Sequence, residues 1–289
     1  MKTTVYCITG MCFLMLFSTC VSREKGATLP AEPAPSGQLF IIGGGERSDS
    51  LTLAMLELSG ITEGGYIAVL PMASGISDSA YLFFLEELRY VSDAPCYKLN
   101  FKEKDLVNSM KLDSLRNARL IFICGGDQNR FMALVRDTPI ESAIRDAYQK
   151  GSMIAGTSAG AAMMSSVMIT GDENFSEEYE STYDKLMTGN AIYARGLGLL
   201  DSTIIDQHFV VRSRYNRLLT AMCDYRGMMG VGIDESTAIL VRGKEAQVVG
   251  YSQVAVFQPT PDCDVNFQHL RMRGVQCDLL VAGDRFQLK

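Results

Sequence analysis

The sequence predicts an α/β protein built on a mostly parallel central sheet with helices on both faces. Short, unbroken apolar runs such as Leu39-Phe40-Ile41-Ile42 and Leu120-Ile121-Phe122-Ile123 stop at glycine-rich segments. Strands buried on both faces read this way, whereas a half-exposed strand alternates polar and apolar. Amphipathic stretches separate these runs, as crossover helices would. The 289 residues show no internal repeat and no composition break strong enough to mark a second domain.

The N-terminal segment stands apart. Lys2 precedes a mostly apolar stretch from Val5 to Phe17, shorter than the ~20 residues a permanent membrane span needs. Residues 1–20 therefore read as a secretory signal. The run Leu16-Phe17-Ser18-Thr19-Cys20 is similar to a lipoprotein box, so Cys20 is expected to carry acyl chains at a membrane surface. Residues 21–37 hold Pro30, Pro33 and Pro35 and read as an extended tether. Residues 38–289 are read as one domain.

Within it, Tyr66–Leu70 is a strand stopped by Pro71, and Ser79–Tyr90 has helical apolar spacing. Leu120–Cys124 is a strand closed by Gly125-Gly126-Asp127-Gln128. Ile140–Lys150 is an amphipathic helix with Gly151 at its end. Met153–Ala155 is a short strand. Residues 172–195 are polar and aperiodic, and are expected to be a long loop covering a site. Thr237–Val241, Gln247–Gly250, Gln253–Phe257, Cys277–Val281 and Arg285–Leu288 read as short strands extending the main sheet in antiparallel fashion.

Charge excludes one function class. Lys+Arg 27 against Asp+Glu 33 gives a net charge of −6, the wrong sign for a protein that grips nucleic-acid backbones. The cysteines show no metal-ligand spacing, so no metal is expected. Cys7 and Cys12 leave with the signal. Cys124, ending an apolar strand, reads as buried, and Cys263 and Cys277 flank a hairpin where an oxidising compartment would let them pair.

The sharpest local feature is Gly156-Thr157-Ser158-Ala159-Gly160 after a short strand. This fits G-x-S-x-G, the tight strand-to-helix turn that lifts a serine Oγ off the sheet. The Ala159 N–H then points toward the same space and, with the helix N-terminus, can stabilise an oxyanion. A serine needs a base, and only two histidines exist. His208 ends the apolar run Ile204-Ile205, where open α/β sheets place their ligands, and is preferred over His269 in its polar surroundings. Glu235, Asp234 and Asp172 all remain candidates for the acid that orients the imidazole. Arg212, Arg214 and Arg217 follow His208 and are able to hold carboxylates. Gly126 and Gln128 follow another strand end, as either a plain turn or a second oxyanion N–H with a substrate contact.

Four segments taken together resemble the cyanophycinase family of serine peptidases, which includes aspartyl dipeptidase. They are Gly-Thr-Ser-Ala-Gly-Ala at 156–161, Gly-Gly-Asp-Gln at 125–128, Asp-Gln-His-Phe with three arginines at 206–217, and Gly-Ile-Asp-Glu at 232–235. The resemblance runs from about Leu39 to Phe286 and implies a fold like class I glutamine amidotransferases. It also implies a Ser158–His208–Glu235 triad and a substrate pocket around Gln128, Asp206, Gln207, Arg212, Arg214 and Arg217. The implied reaction is hydrolysis of cyanophycin to β-Asp-Arg dipeptides through an acyl-enzyme, without cofactor. A homodimer is compatible with it. One departure is Arg47-Ser48, where the family's first glycine loop leads to expect an acidic residue and a lysine.

The alternatives are an aspartyl or isoaspartyl dipeptidase-like hydrolase, an esterase using His269, or a non-catalytic surface lipoprotein that only binds.

Overall fold

A computed structural model describes residues 35–176, 182–259, 262–266 and 268–289. The signal, Cys20 and most of the tether lie outside the described residues. One unit spans Ala34–Lys289.

The first half alternates as the apolar runs dictate: β1 (Gln38–Ile42), α1 (Asp49–Ser59), β2 (Ile67–Leu70), α2 (Ser77–Val91), β3 (Cys96–Lys98), α3 (Ser109–Arg116), β4 (Leu120–Ile123), α4 (Gln128–Val135), α5 (Pro139–Gln149), β5 (Met153–Thr157) and α6 (Ala159–Ala162). The second half is mainly strands: β6 (Val167–Glu173), β7 (Ala191–Arg195), β8 (Thr203–Gln207), α7 (Tyr215–Asp224), β9 (Met229–Ile233), β10 (Thr237–Arg242), β11 (Glu245–Gly250), β12 (Val254–Phe257), β13 (Cys263–Asn266), β14 (His269–Met272), β15 (Cys277–Leu280) and β16 (Arg285–Gln287).

An eight-stranded sheet runs β16-β11-β10-β1-β5-β4-β2-β3. Its β1, β5, β4, β2 and β3 pair in parallel, and β10, β11 and β16 continue it antiparallel. Successive residues of one strand feed opposite cores. Leu39 and Ile41 pack with Ile121, Ile123 and Ile154 under α5, while Phe40 and Ile42 pack with Phe122 and Ala155 under α1 and α2. Helix boundaries follow local chemistry. Thr138 caps α5 by accepting from Ile140 N, with Pro139 at the first turn, and Gly60 ends α1 in the left-handed region.

Two expectations are corrected. Of the C-terminal strands, β10, β11 and β16 extend the main sheet, but β12 and β15 do not. They form a separate sheet, β15-β12-β9-β8, in which β8 and β9 are parallel. Short apolar runs specify burial without naming the neighbouring strand. Residues 172–195 are likewise more than a loop. Strands β6 and β7 pair antiparallel from Val167↔Arg195 to Glu173↔Ala191, with an irregularity after Ile169. Gly171 and Asp172 interrupt the apolar pattern at that irregularity, which is why the strand reads as polar and aperiodic.

The cysteine expectation also changes. Cys263 bonds Cys223 on α7, with Cα atoms 5.8 Å apart, and Cys277 is free and exposed on β15. The β13–β14 hairpin brings Cys263 to α7, a proximity that sequence spacing does not encode.

Candidate active site

The C-terminal ends of β1, β4, β5 and β8 converge, and the site is assembled there. Ser158 follows β5 with φ 54 and ψ −113, a strained geometry for an L-residue. Its N–H donates to the carbonyl of Ile42 at the end of β1, at 3.0 Å. His208 follows β8, also at positive φ, and its N–H donates to Gly43 O at 2.8 Å. The end of β1 thus holds both residues by backbone hydrogen bonds.

The side chains form a continuous line. Ser158 Oγ lies 2.8 Å from His208 Nε2, and His208 Nδ1 lies 2.5 Å from Glu235 Oε1. The structure separates the acid candidates. Asp234 turns away to accept from Val210 N and Val211 N, both at 3.0 Å, and from Ser252 Oγ at 2.6 Å, fixing the turn after His208. Asp172 stands at the cavity rim on β6, and His269 is exposed on β14.

Burial is the main cause that pushes the His208 pKa below the ordinary histidine value of 6.5. The hydrogen bond that Glu235 accepts from the imidazole raises it, while the positive charges of Arg212 and Arg214 lower it further. The imidazole is therefore neutral at pH 7 and able to accept a proton.

A cavity of about 310 Å³ opens beside Ser158, lined by residues that include Gly126, Gln128, Gln207, Arg212 and Asp172. The N–H of Ala159 opens a helix of a single turn, so it has no partner within that helix. The macrodipole expected behind it is correspondingly small, since one turn aligns few peptide units. Gly126 has φ +138, and a Cβ there would meet Ala73 O at 2.4 Å. Only glycine fits that turn.

The polar residues around the cavity have different duties. Gln128 donates from Nε2 to Ile169 O at 3.1 Å and also to Thr170 O, fastening α4 to β6. Asp206 does not line the cavity; it is 1% exposed and forms a two-point ion pair with Arg217, whose Nε lies 2.7 Å from Asp206 Oδ2. Arg214 donates to Gln207 O at 2.8 Å and to Gln207 Oε1 at 2.9 Å. Arg212 is half-buried at the cavity wall. Among the described residues no group of carboxylates, cysteines or histidines is arranged to hold a metal ion.

Sequence reasoning missed the first glycine loop as a part of the site. A Cβ on Gly44 would lie 2.3 Å from His208 Cε1, and one on Gly45 would lie 2.8 Å from Glu235 Oε2. The backbone of this loop packs directly on the histidine–glutamate pair. Three consecutive glycines after a strand are the available signal, but glycine runs end many strands.

Residues 39–249 match Peptidase family S51. The chain belongs to that family. It is a serine-type peptidase, and a serine hydroxyl within hydrogen-bond reach of an imidazole, as Ser158 Oγ is of His208 Nε2, is an arrangement such chemistry uses. The chain is 30% identical over 281 residues to a cyanophycinase of Nostoc sp. (strain PCC 7120 / SAG 25.82 / UTEX 2576), covering 92% of this chain and 90% of that one. It is 28% identical over 265 residues to a cyanophycinase of Synechococcus elongatus, covering 88% and 80%. A crystal structure of a peptidase from an acI-B1 Actinobacterium shares the fold, with TM-score 0.63 and 21% identity, covering 88% of this chain and 98% of that one.

Proposed function

We propose that this S51 peptidase hydrolyses amide bonds at an aspartyl carbonyl, with cyanophycin or a related β-aspartyl peptide as substrate. The observation that carries the reading is the line Ser158 Oγ–His208 Nε2–Glu235 Oε1, at 2.8 and 2.5 Å, opening on a polar cavity. In this reading His208 takes the Ser158 proton as Oγ attacks the carbonyl carbon. Glu235 fixes the imidazole orientation and stabilises its charged form. The N–H groups of Ala159 and Gly126 meet the oxyanion. Collapse of that intermediate breaks the C–N bond, and His208 returns the proton to the leaving amine. Water then attacks the acyl-enzyme with His208 again as base, restoring free serine and releasing the acid.

The cavity suits a substrate carrying charges of both signs. Arg212 offers a guanidinium to a carboxylate, and Asp172 and Asp127 add carboxylates to the same lining. Arg214 and Arg217 line the cavity as well, held in place by Gln207 and Asp206 respectively. The names of the relatives support cyanophycin as the polymer, and β-Asp-Arg dipeptides are the products this reading expects.

The test is incubation of the protein and of its Ser158→Ala variant with insoluble cyanophycin, followed by mass spectrometry of the supernatant. Soluble arginine-bearing dipeptides are expected from wild type. The variant should lose at least ~10³-fold in rate, leaving only catalysis by binding and the oxyanion donors. Equal release from both would refute Ser158 as nucleophile. An exported, lipid-anchored form is part of the same proposal, and a mature chain beginning at an acylated Cys20 is the mass that would support it.

A further inference from the structure

A second cavity, of about 480 Å³, adjoins the first. The two share a wall. Gly126 lines the first and Ser74 the second, and a Cβ on Gly126 would stand 2.9 Å from Ser74 Cα. Asp127 N donates to Ala73 O at 2.9 Å, and Arg130 on α4 donates to the same oxygen from Nη1 at 3.2 Å. Ser158 lines the first cavity and not this one, so a bond under attack lies in the first.

Unpaired positive charge sets the second cavity apart. Lys102 and Arg130 both line it, both are exposed, and among the described residues neither makes an ion pair. The carboxylates beside them are engaged elsewhere. Asp78 accepts from Lys98 Nζ at 2.7 Å, and Asp105 accepts from Lys111 Nζ at 2.9 Å and from Lys102 N at 3.0 Å. Glu103, next to Lys102, does not line the cavity. Ser74, Ser77 and Asn100 add neutral donors, and Ser74 Oγ already accepts from Ile76 N at 3.1 Å, which leaves its proton to donate. The first cavity mixes carboxylates with arginines, whereas the second holds two cations and no carboxylate, in a chain of net charge −6. A concave site of that composition attracts an anion.

We infer that this cavity is an outer subsite of the peptidase, taking the arginyl carboxylate of a polymer unit beyond the two that the scissile amide joins. The inference rests on the cyanophycin reading above. Each unit of that polymer presents a free carboxylate and a guanidinium on its arginyl arm. A third unit stands roughly 7 Å along an extended backbone from the first, and its arm adds further reach. Its carboxylate meets Lys102 and Arg130, while its guanidinium, at the far end of a flexible stem, stays in solvent. Longer chains are thereby favoured over two-unit peptides, whose carboxylates all lie beside the scissile bond.

The experiment uses soluble oligomers of two and three aspartyl units, each unit bearing arginine on its side chain. One series has free arginyl carboxylates, and the other has them as carboxamides. The three-over-two ratio of kcat/KM is measured within each enzyme form and each series, so the fraction of folded protein and any effect in the first cavity cancel. Wild type should favour three units by about tenfold in the carboxylate series, the scale of one charge-assisted hydrogen bond. In the carboxamide series its preference should be less than about twofold. Lys102→Gln/Arg130→Gln, with both changes at exposed positions, should bring the carboxylate-series ratio below about twofold. Lys104→Gln removes a charge at an exposed position outside the cavity and should leave the ratio at its wild-type value. A wild-type ratio near one, a ratio that survives the double variant or the carboxamide, or an equal drop in Lys104→Gln overturns the subsite and leaves the peptidase reading intact. Cleavage of no oligomer by wild type overturns both.

Discussion

Ser158 and His208 come from two sheets that hold their residues in place by different means. Ser158 ends a strand inside the parallel part of the main sheet, where β1, β4 and β5 are buried almost throughout and apolar cores cover both faces. His208 ends β8, at the edge of the four-stranded sheet, and its surroundings are fixed by specific polar and covalent links. These are Asp206–Arg217, Arg214–Gln207, Asp234 to the Val210 and Val211 amides, and Cys223–Cys263. Apolar packing is spread over many contacts and tolerates a single loss. Polar anchoring concentrates the same task in a few bonds, each expensive to break.

The largest effect should come from the Asp206–Arg217 pair. Arg217→Met leaves the almost fully buried Asp206 carboxyl without its ion-pair partner, and should cost about 3–5 kcal/mol in urea unfolding. The double change Arg217→Met/Asp206→Leu should recover most of that loss. Removing the exposed Arg285–Glu245 pair should move stability by less than about 1 kcal/mol, which sharpens the contrast. A Tm for Arg217→Met equal to wild type would mean that the polar anchoring is ornamental. Next in size is the disulfide. It closes a loop of 40 residues, so Cys223→Ser should lower stability by up to about 4 kcal/mol on chain-entropy grounds, with Cys277→Ser unchanged.

The same contrast explains what could be read from the sequence. The parallel half was legible because unbroken apolar runs of four or five residues have few other uses, and because Gly156–Gly160 places a serine at a strand end. The second sheet was not. Nothing in Val254–Phe257 says that it lies against β9 instead of β11, because pairing over long separations depends on the three-dimensional arrangement. The arginines at 212, 214 and 217 were visible as a group, but a charge in sequence does not disclose whether it faces substrate or a buried aspartate. Asp234 and Glu235 were indistinguishable neighbours until the turn after β9 sent one to the Val210 amide and the other to His208 Nδ1.

Between the two sheets lies the glycine loop, and it offers a smaller, catalytic test. Gly44 has φ +116 and touches the His208 ring by its backbone. An alanine there would strain the loop and displace the imidazole from Ser158 without touching either core. Gly44→Ala should lower kcat by about 10²-fold, the cost of a misplaced reacting group, while Tm falls by no more than a few degrees. An equal collapse of both would show the loop to be structural first.

The finest distinction concerns which charges set the base. Burial depresses the His208 pKa, Arg212 depresses it further, and Glu235 opposes both. The acid limb of kcat/KM in the free enzyme follows that pKa and should lie below the ordinary histidine value. Arg212→Gln removes a positive charge, makes protonation easier, and should move the limb to higher pH. Glu235→Gln removes the group that stabilises the imidazolium and should move it to lower pH. Both variants also lose rate, but the position of the limb is independent of its height. Because the folded-state pKa is the lower one, the unfolded chain binds the proton first, so the stability contributed by His208 is complete above about 6.5 and is lost as pH falls through the depressed value. Opposite displacements in the two variants would assign the limb to His208, held between an arginine of one element and a glutamate of another. Displacements in the same direction, or none, would assign it to a different group.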